Sequence, residues 1–290
     1  MSAEILIIQA INGLQFGVML FLMSAGLTLV FGIMNLINLA HGALYMVGAY
    51  IAAALLRATG SFTLAVVLAI PLVAMIGALI EVVVLRRLYH RDHLDQVLAT
   101  FALILFFNEL VRIIWGPQAH FMSIPAALSG SVQIMPGVPY PIYRLAIVAA
   151  GLIVAIVLYV VITRTRLGMV VRAGSCNREM VGALGVNVRL LFTLLFGIGA
   201  GMAGFAGMMA GPILSVEVGM GEPILILAFV VIVIGGIGSV RGAFIAALLV
   251  GMVDTFGRVL LPPALASMAI YILMACVLFW RPQGLFPAHG

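Results

Sequence analysis

Long apolar runs dominate the chain, at residues 5–33, 36–56, 62–85, 97–115, 145–163, 190–214, 223–237, 243–261 and 264–280. A bilayer core of about 30 Å takes roughly 20 apolar residues per helix, so these nine runs predict transmembrane helices. The runs are continuous, which excludes a β-barrel, because barrel strands alternate lipid-facing and lumen-facing residues. The first run is too long for a simple span, since it would extend about 43 Å as a straight helix. It is therefore tilted, kinked near Gly13 or Gly17, or partly interfacial. The expected fold class is an all-α integral membrane protein, a polytopic bundle of eight to ten helices forming one transmembrane domain over residues 1–290.

Composition agrees. Apolar residues make up 65% of the 290 and charged residues 8%, against about 45–50% and 25% in soluble domains. The net charge of +5 comes from 14 basic residues, all arginine, and nine acids. No segment gathers enough arginine for a nucleic-acid footprint. No Lys or Arg precedes the first run, so it lacks the basic start of a secretory signal and is expected to stay in the protein. Arginines concentrate in residues 86–96 and 164–189, and the positive-inside rule places both connections in the cytoplasm. Residues 116–143, rich in Pro, Gly and Ser, then form an outer loop, while Arg241 and Arg281 fall inside. Nine crossings put the N-terminus outside and the C-terminus inside. Cys176 and Cys276 have no companions at ligand spacing, so neither a metal site nor a disulfide is expected.

Residues 164–189 hold five arginines and a cluster of apolar positions. Met180, Val181 and Leu184 have the spacing of one face of a short amphipathic helix, with Arg178 and Glu179 at its start and Gly185 as its C-cap. Apolar residues in such a loop need a membrane surface or a partner protein to cover them. A second polar interruption, Asn35, Asn38 and His41, lies between two apolar runs, where each group must find a partner or a water-filled cavity. On a helix, Asn38 would share a face with His41 and Gly42. Among the acids, Glu109 can pair with Arg112 and Asp254 with Arg258, and Glu81 can pair with Arg86 or Arg87 near the cytoplasmic interface. Gly199, Gly201 and Gly204 form a GxGxxG string without a βαβ context, so helix packing, not dinucleotide binding, explains it. Gly235, Gly236 and Gly238 follow a short apolar run, which predicts a break at the cytoplasmic face and a candidate place for gating.

Four stretches together resemble one family. They are N35-L-I-N-L-A-H-G42 with A-L-Y-M-V-G-A-Y50 after it, R172-A-G-S-C-N-R-E-M-V-G-A-L-G-V-N187, V233-I-G-G-I-G-S-V-R-G-A243 and R281-P-Q-G-L-F286. The chain resembles permease subunits of bacterial branched-chain amino-acid ABC importers of the LivH type over nearly its whole length. Val181 stands where the family often has Ala, and the outer loop is not family-like. The resemblance implies a multi-pass protein of the bacterial inner membrane that pairs with a second, related permease as a heterodimer. It also implies two ATPase subunits and a soluble periplasmic binding protein as partners, with membrane lipid around the bundle. Arg172, Arg178, Glu179, Met180, Leu184, Gly185 and Asn187 would then form the ATPase-coupling segment. Asn35, Asn38, His41 and Tyr45 are candidates for the translocation path, and Gly201, Gly204, Gly235, Gly236 and Gly238 for packing or gating.

The expected activity is import of branched-chain amino acids or other small polar solutes by alternating access. The chain has no GxxxxGK[ST] sequence, so ATP hydrolysis falls to the partners, and no cofactor is expected. HExxH, GxSxG and paired-carboxylate patterns are also lacking, which argues against an intramembrane enzyme. The competing class is a stand-alone ion-coupled transporter or channel, in which Glu109 or Asp254 would carry the coupling ion.

Overall fold

The structure is a computed structural model that describes residues 3–89, 91–135 and 137–287. In chain order the helices are α1 Ala3–Met34, α2 His41–Thr59, α3 Phe62–Val83, α4 His93–Trp115, α5 Ile142–Arg164, α6 Arg166–Cys176, α7 Arg178–Ala183, α8 Val188–Ala210, α9 Gly221–Gly235, α10 Val240–Leu260 and α11 Pro263–Trp280. Among the described residues eight are long and apolar enough to cross a membrane, and the ninth apolar run is the shorter α9 of 15 residues. The outer loop adds a two-stranded antiparallel hairpin, β1 Ser131–Met135 and β2 Val138–Pro141, around Gly137 at φ 86°. An all-α reading misses it because the strands are short and carry only a weak alternation.

Helix boundaries follow from local chemistry. Gly60, left-handed at φ 67°, ends α2, and the Ser61 side chain caps α3 by accepting from the Leu64 amide at 3.4 Å. Pro263 opens α11, where its missing N–H costs nothing.

α1 is one unbroken helix at the centre of the bundle, most of it buried. Gly13 and Gly17 are its contact points with α10: a Cβ on Gly13 would lie 3.1 Å from Met252 Cα, and one on Gly17 2.8 Å from the Ala247 carbonyl. Gly32 meets Gly238 at the other end. α1 therefore runs antiparallel to α10. Its first residues lie on the same side as Leu260, opposite the face carrying the α9–α10 turn and residues 281–286. The two ends of the described chain lie on opposite faces, in keeping with an odd number of crossings.

The second apolar run departs from expectation. It does not start a helix at residue 36, because residues 35–40 form a break between α1 and α2. Asn35 turns the chain at φ 50°, a left-handed conformation that Asn tolerates better than most residues. Asn38 therefore lies in the break and does not share a helix face with His41, the first residue of α2.

Around α1, α8 packs against both α2 and α3 through its glycines. A Cβ on Gly204 would lie 2.8 Å from Val73 Cγ1, and one on Gly48 would strike the backbone of Gly204. Gly201 faces Ala74 and Ile70 at ordinary contact distance. Without side chains between them, helix backbones approach closely, and dispersion contacts replace the hydrophobic drive that lipid does not supply.

Candidate functional site

On the arginine-rich face, α6 and α7 form a helical elbow between α5 and α8. Thr165 caps α6 by accepting from the Gly168 amide at 3.2 Å, Asn177 caps α7 from the Met180 amide at 2.9 Å, and Asn187 caps α8 from the Leu190 amide at 3.1 Å. Each supplies an acceptor to an otherwise orphaned N–H. α7 ends as its glycine predicts: Gly185 is left-handed at φ 88°, and the Val186 amide reaches back to the Val181 carbonyl at 3.3 Å.

The face of α7 differs from expectation in one respect. Met180 and Leu184 project outward, 57% and 77% exposed, but Val181 is buried at 5%. Residues 180 and 184 share a side at i, i+4 spacing, while 181 turns roughly 100° away and packs against the bundle. Arg178 and Glu179 flank the exposed pair. Arg172 lies on α6, not α7, and its guanidinium donates to the Ile162 carbonyl, bracing α6 on the end of α5.

A cleft of about 650 Å³ opens beside this elbow. It is lined by Asn35 at the end of α1, Arg172, Asn177, Arg178 and Glu179 on the elbow, and Gly238 in the α9–α10 turn. Three groups of candidate residues, far apart in sequence, thus meet at one cleft on the arginine-rich face. The glycine turn is packed tightly: Gly235 touches Gly242, and Gly236, at φ 102°, lies under the Phe286 carbonyl. The Leu285 and Phe286 amides donate to the Ile234 and Gly235 carbonyls at 2.8 and 3.0 Å, joining two of the sequence motifs. That strap is invisible in the sequence, where no spacing rule connects the motifs.

Asn38, His41 and Tyr45 lie deeper, outside the cleft and fully buried. His41 Nε2 is 3.2 Å from the Met23 carbonyl. Among the described residues, both Asn38 amide atoms, His41 Nδ1 and the Tyr45 hydroxyl have no hydrogen-bond partner. Leaving such a group unsatisfied costs about 1–3 kcal/mol, so four of them mark a place where the interior is polar by design.

The charged pairs form locally. Arg112 and Glu109 are 2.7 Å apart, and Arg258 and Asp254 2.8 Å. Glu81, with no solvent exposure, pairs with Arg86 at 3.0 Å. Beside it, burial first and then the hydrogen bond to Glu81 hold the Tyr89 phenol above its ordinary range, so Tyr89 remains a donor. Among the described residues no three His, Cys, Asp or Glu side chains converge on a metal position.

Among the described residues, eight long apolar helices, with the buried α1 at their centre and an arginine-rich elbow at one face, define a multi-pass membrane protein. The family described as branched-chain amino acid transport system / permease component matches residues 9–278, and the chain belongs to it. It is similar to the high-affinity branched-chain amino acid transport system permease protein BraD of Pseudomonas aeruginosa, 31% identical over 291 positions, covering 96% of this chain and 94% of the relative. It is also similar to LivH of Escherichia coli, 28% identical over 305 positions with the same coverage. Probable LivH of Methanocaldococcus jannaschii is 25% identical, covering 92% of this chain and 88% of its own. No solved structure matches the chain.

Proposed function

We propose that this chain is the permease subunit of an ATP-driven importer that moves branched-chain amino acids or related small polar solutes across the bacterial inner membrane by alternating access. The observation that carries this reading is the outward pair Met180 and Leu184 on a short, well-capped helix at the arginine-rich face. An apolar pair held out by three caps and a braced α6 is suited to a protein groove. Arg172, Arg178, Glu179, Gly185 and Asn187 shape and present it. ATP is hydrolysed by two partner subunits that dock there, a second permease completes the membrane unit, and a soluble binding protein delivers the solute. The relatives' names support the amino-acid substrate class.

In this reading Asn35 faces the cytoplasmic cleft, while Asn38, His41 and Tyr45 are the polar groups that the other arrangement of the α1–α2 break exposes to the solute. Gly204 keeps α8 close to α2 and α3, Gly201 stands against Ile70 and Ala74 of α3 with room for a methyl, and Gly235, Gly236 and Gly238 fix the turn beside the cleft. The test is uptake of labelled leucine by proteoliposomes holding the assembled complex. ATP-dependent accumulation with the binding protein present is expected. Accumulation driven by a proton or sodium gradient in this chain alone would overturn the reading.

A further inference from the structure

A polar knot inside the bundle joins the end of α3 and the α3–α4 turn to α8, the helix that Asn187 of the coupling segment caps. Glu81, on the last turn of α3, has no solvent exposure. It accepts from Arg86 Nε at 3.3 Å and Nη2 at 3.0 Å, from the Tyr89 hydroxyl at 2.6 Å and from the Thr193 hydroxyl at 2.6 Å. Arg86 Nη2 also donates to Thr193 at 2.8 Å, and the Tyr89 ring meets Phe192 edge to face at 5.4 Å between centroids. A buried carboxylate is tolerated only where its charge is paired and its lone pairs are filled, and here three side chains, from the α3–α4 turn and α8, do both.

Holding α3 against α8 does not require this knot, because the glycines of α8 already seat on Ile70, Val73 and Ala74. Its place in the chain gives it another use. Phe192 and Thr193 lie in the first two turns of α8, and only residues 184–187 separate α8 from α7. A displacement of α7 therefore reaches this end of α8 first. On the other side, Tyr89 belongs to the turn between α3 and α4. Gln96 on α4 donates to the Leu88 and Arg91 carbonyls of that turn at 3.1 and 3.2 Å. One helical turn on, the Thr100 hydroxyl donates to the Gln96 carbonyl at 2.8 Å, and the same oxygen lies 3.5 Å from the Ile37 carbonyl in the α1–α2 break. Hydrogen bonds thus run from the start of α8, through Glu81 and the α3–α4 turn, to α4, whose Thr100 abuts the break that holds Asn38.

We propose that Glu81 is a positioning residue for energy coupling: with Arg86, Tyr89 and Thr193 it locks the α3–α4 turn to the start of α8, so that movement of α7 is passed to the α1–α2 break. The proposal rests on α7 being the ATPase-docking helix. Spatial continuity alone does not establish coupling, so the readout has to be the transmitted motion and not stability.

The experiment uses the complete complex, with Cys176 and Cys276 replaced by serine and spin labels at Arg91→Cys in the α3–α4 turn and Leu261→Cys on the opposite face. An ATP-driven change in the 91–261 distance is expected. In Thr193→Val, which keeps the shape and removes the hydroxyl, the shifted population falls by about fivefold or more, the lower end of ordinary coupling factors. ATP hydrolysis per complex is retained, and Thr193→Ser restores the shift. A purely structural knot would lower the yield of complex but leave the shift per assembled complex intact, and that result overturns the proposal, as does the lack of any shift in the parent. If Thr193→Val does not insert, Tyr89→Phe removes a single hydroxyl at the rim and is read the same way. A Leu184→Asp complex separates the two ideas: ATPases retained in it sink the docking reading, whatever Thr193→Val shows.

Discussion

Gly236 and Phe286 meet backbone to backbone although α10 and α11 separate them. A Cβ on Gly236 would lie 2.7 Å from the Phe286 carbonyl oxygen, and Gly236 sits at φ 102°, where only glycine is at ease. The tail thereby closes the C-terminal end of α9. Gly236→Ala is expected to lower stability by about 1–3 kcal/mol, through backbone strain and loss of this contact. Gly185→Ala, also left-handed but with nothing within 4 Å, is expected to cost only the conformational strain of about 1–2 kcal/mol. Thermal melting of the two variants in one detergent gives the order.

The α8 interface makes a sharper contrast. Gly201→Ala places its methyl 3.6 Å from Ala74 Cβ, an ordinary contact, and should melt like the parent. Gly48→Ala drives a methyl into the Gly204 backbone, which no rotamer relieves. Overpacking of this kind costs about 1–3 kcal/mol, and a lower melting temperature with a wider α2–α8 spacing is expected.

Neutralising the outer acids tests the ion-coupled alternative. The Glu109–Arg112 pair is more than half exposed at Glu109, and such pairs contribute about 0–1 kcal/mol. Glu109→Gln is expected to leave ATP-dependent leucine uptake near the parent level. Asp254→Asn should do the same, because Arg258 remains largely exposed and can be solvated. Loss of uptake in either variant, together with dependence on an ion gradient, would favour the alternative.

Alternating access at the α1–α2 break predicts changing accessibility. In a background lacking Cys176 and Cys276, Asn38→Cys and Tyr45→Cys should resist a membrane-impermeant thiol reagent in the conformation described here, where both positions are buried. Labelling should rise when the complex turns over ATP. Equal protection in every state would remove both residues from the solute path.

Much of this was legible in the sequence because membrane insertion imposes a pattern that single residues reveal. Among the described residues the nine apolar runs became eight long helices and α9; Glu109 and Asp254 found arginines at i, i+3 and i, i+4, and Glu81 found Arg86 five residues on, past the end of α3. The end of α7 at Gly185 followed from its C-cap chemistry. Tertiary relationships were not legible. No local rule brings Thr193 to Glu81, Phe286 to Gly235, or Asn35 and Gly238 to one cleft, because each depends on how helices stack. The polar groups Asn35, Asn38 and His41 point to a break or a lining, but hydropathy, which averages over polar positions, starts the second run at residue 36 and does not give the extent of the break, residues 35–40. Val181 was misplaced for a simpler reason: in a helix of six residues, adjacent positions already lie on different sides.

The docking surface on α7 is tested most directly by affinity purification of the mild-detergent complex, comparing the parent chain with a Glu179→Arg, Leu184→Asp variant matched for membrane insertion. Mass spectrometry of every co-purifying partner gives the outcome. The account predicts ATPase subunits and a second permease with the parent, and loss of the ATPases alone from the variant. ATPases retained by the variant, or a well-folded parent that emerges without partners from several mild detergents, would contradict it.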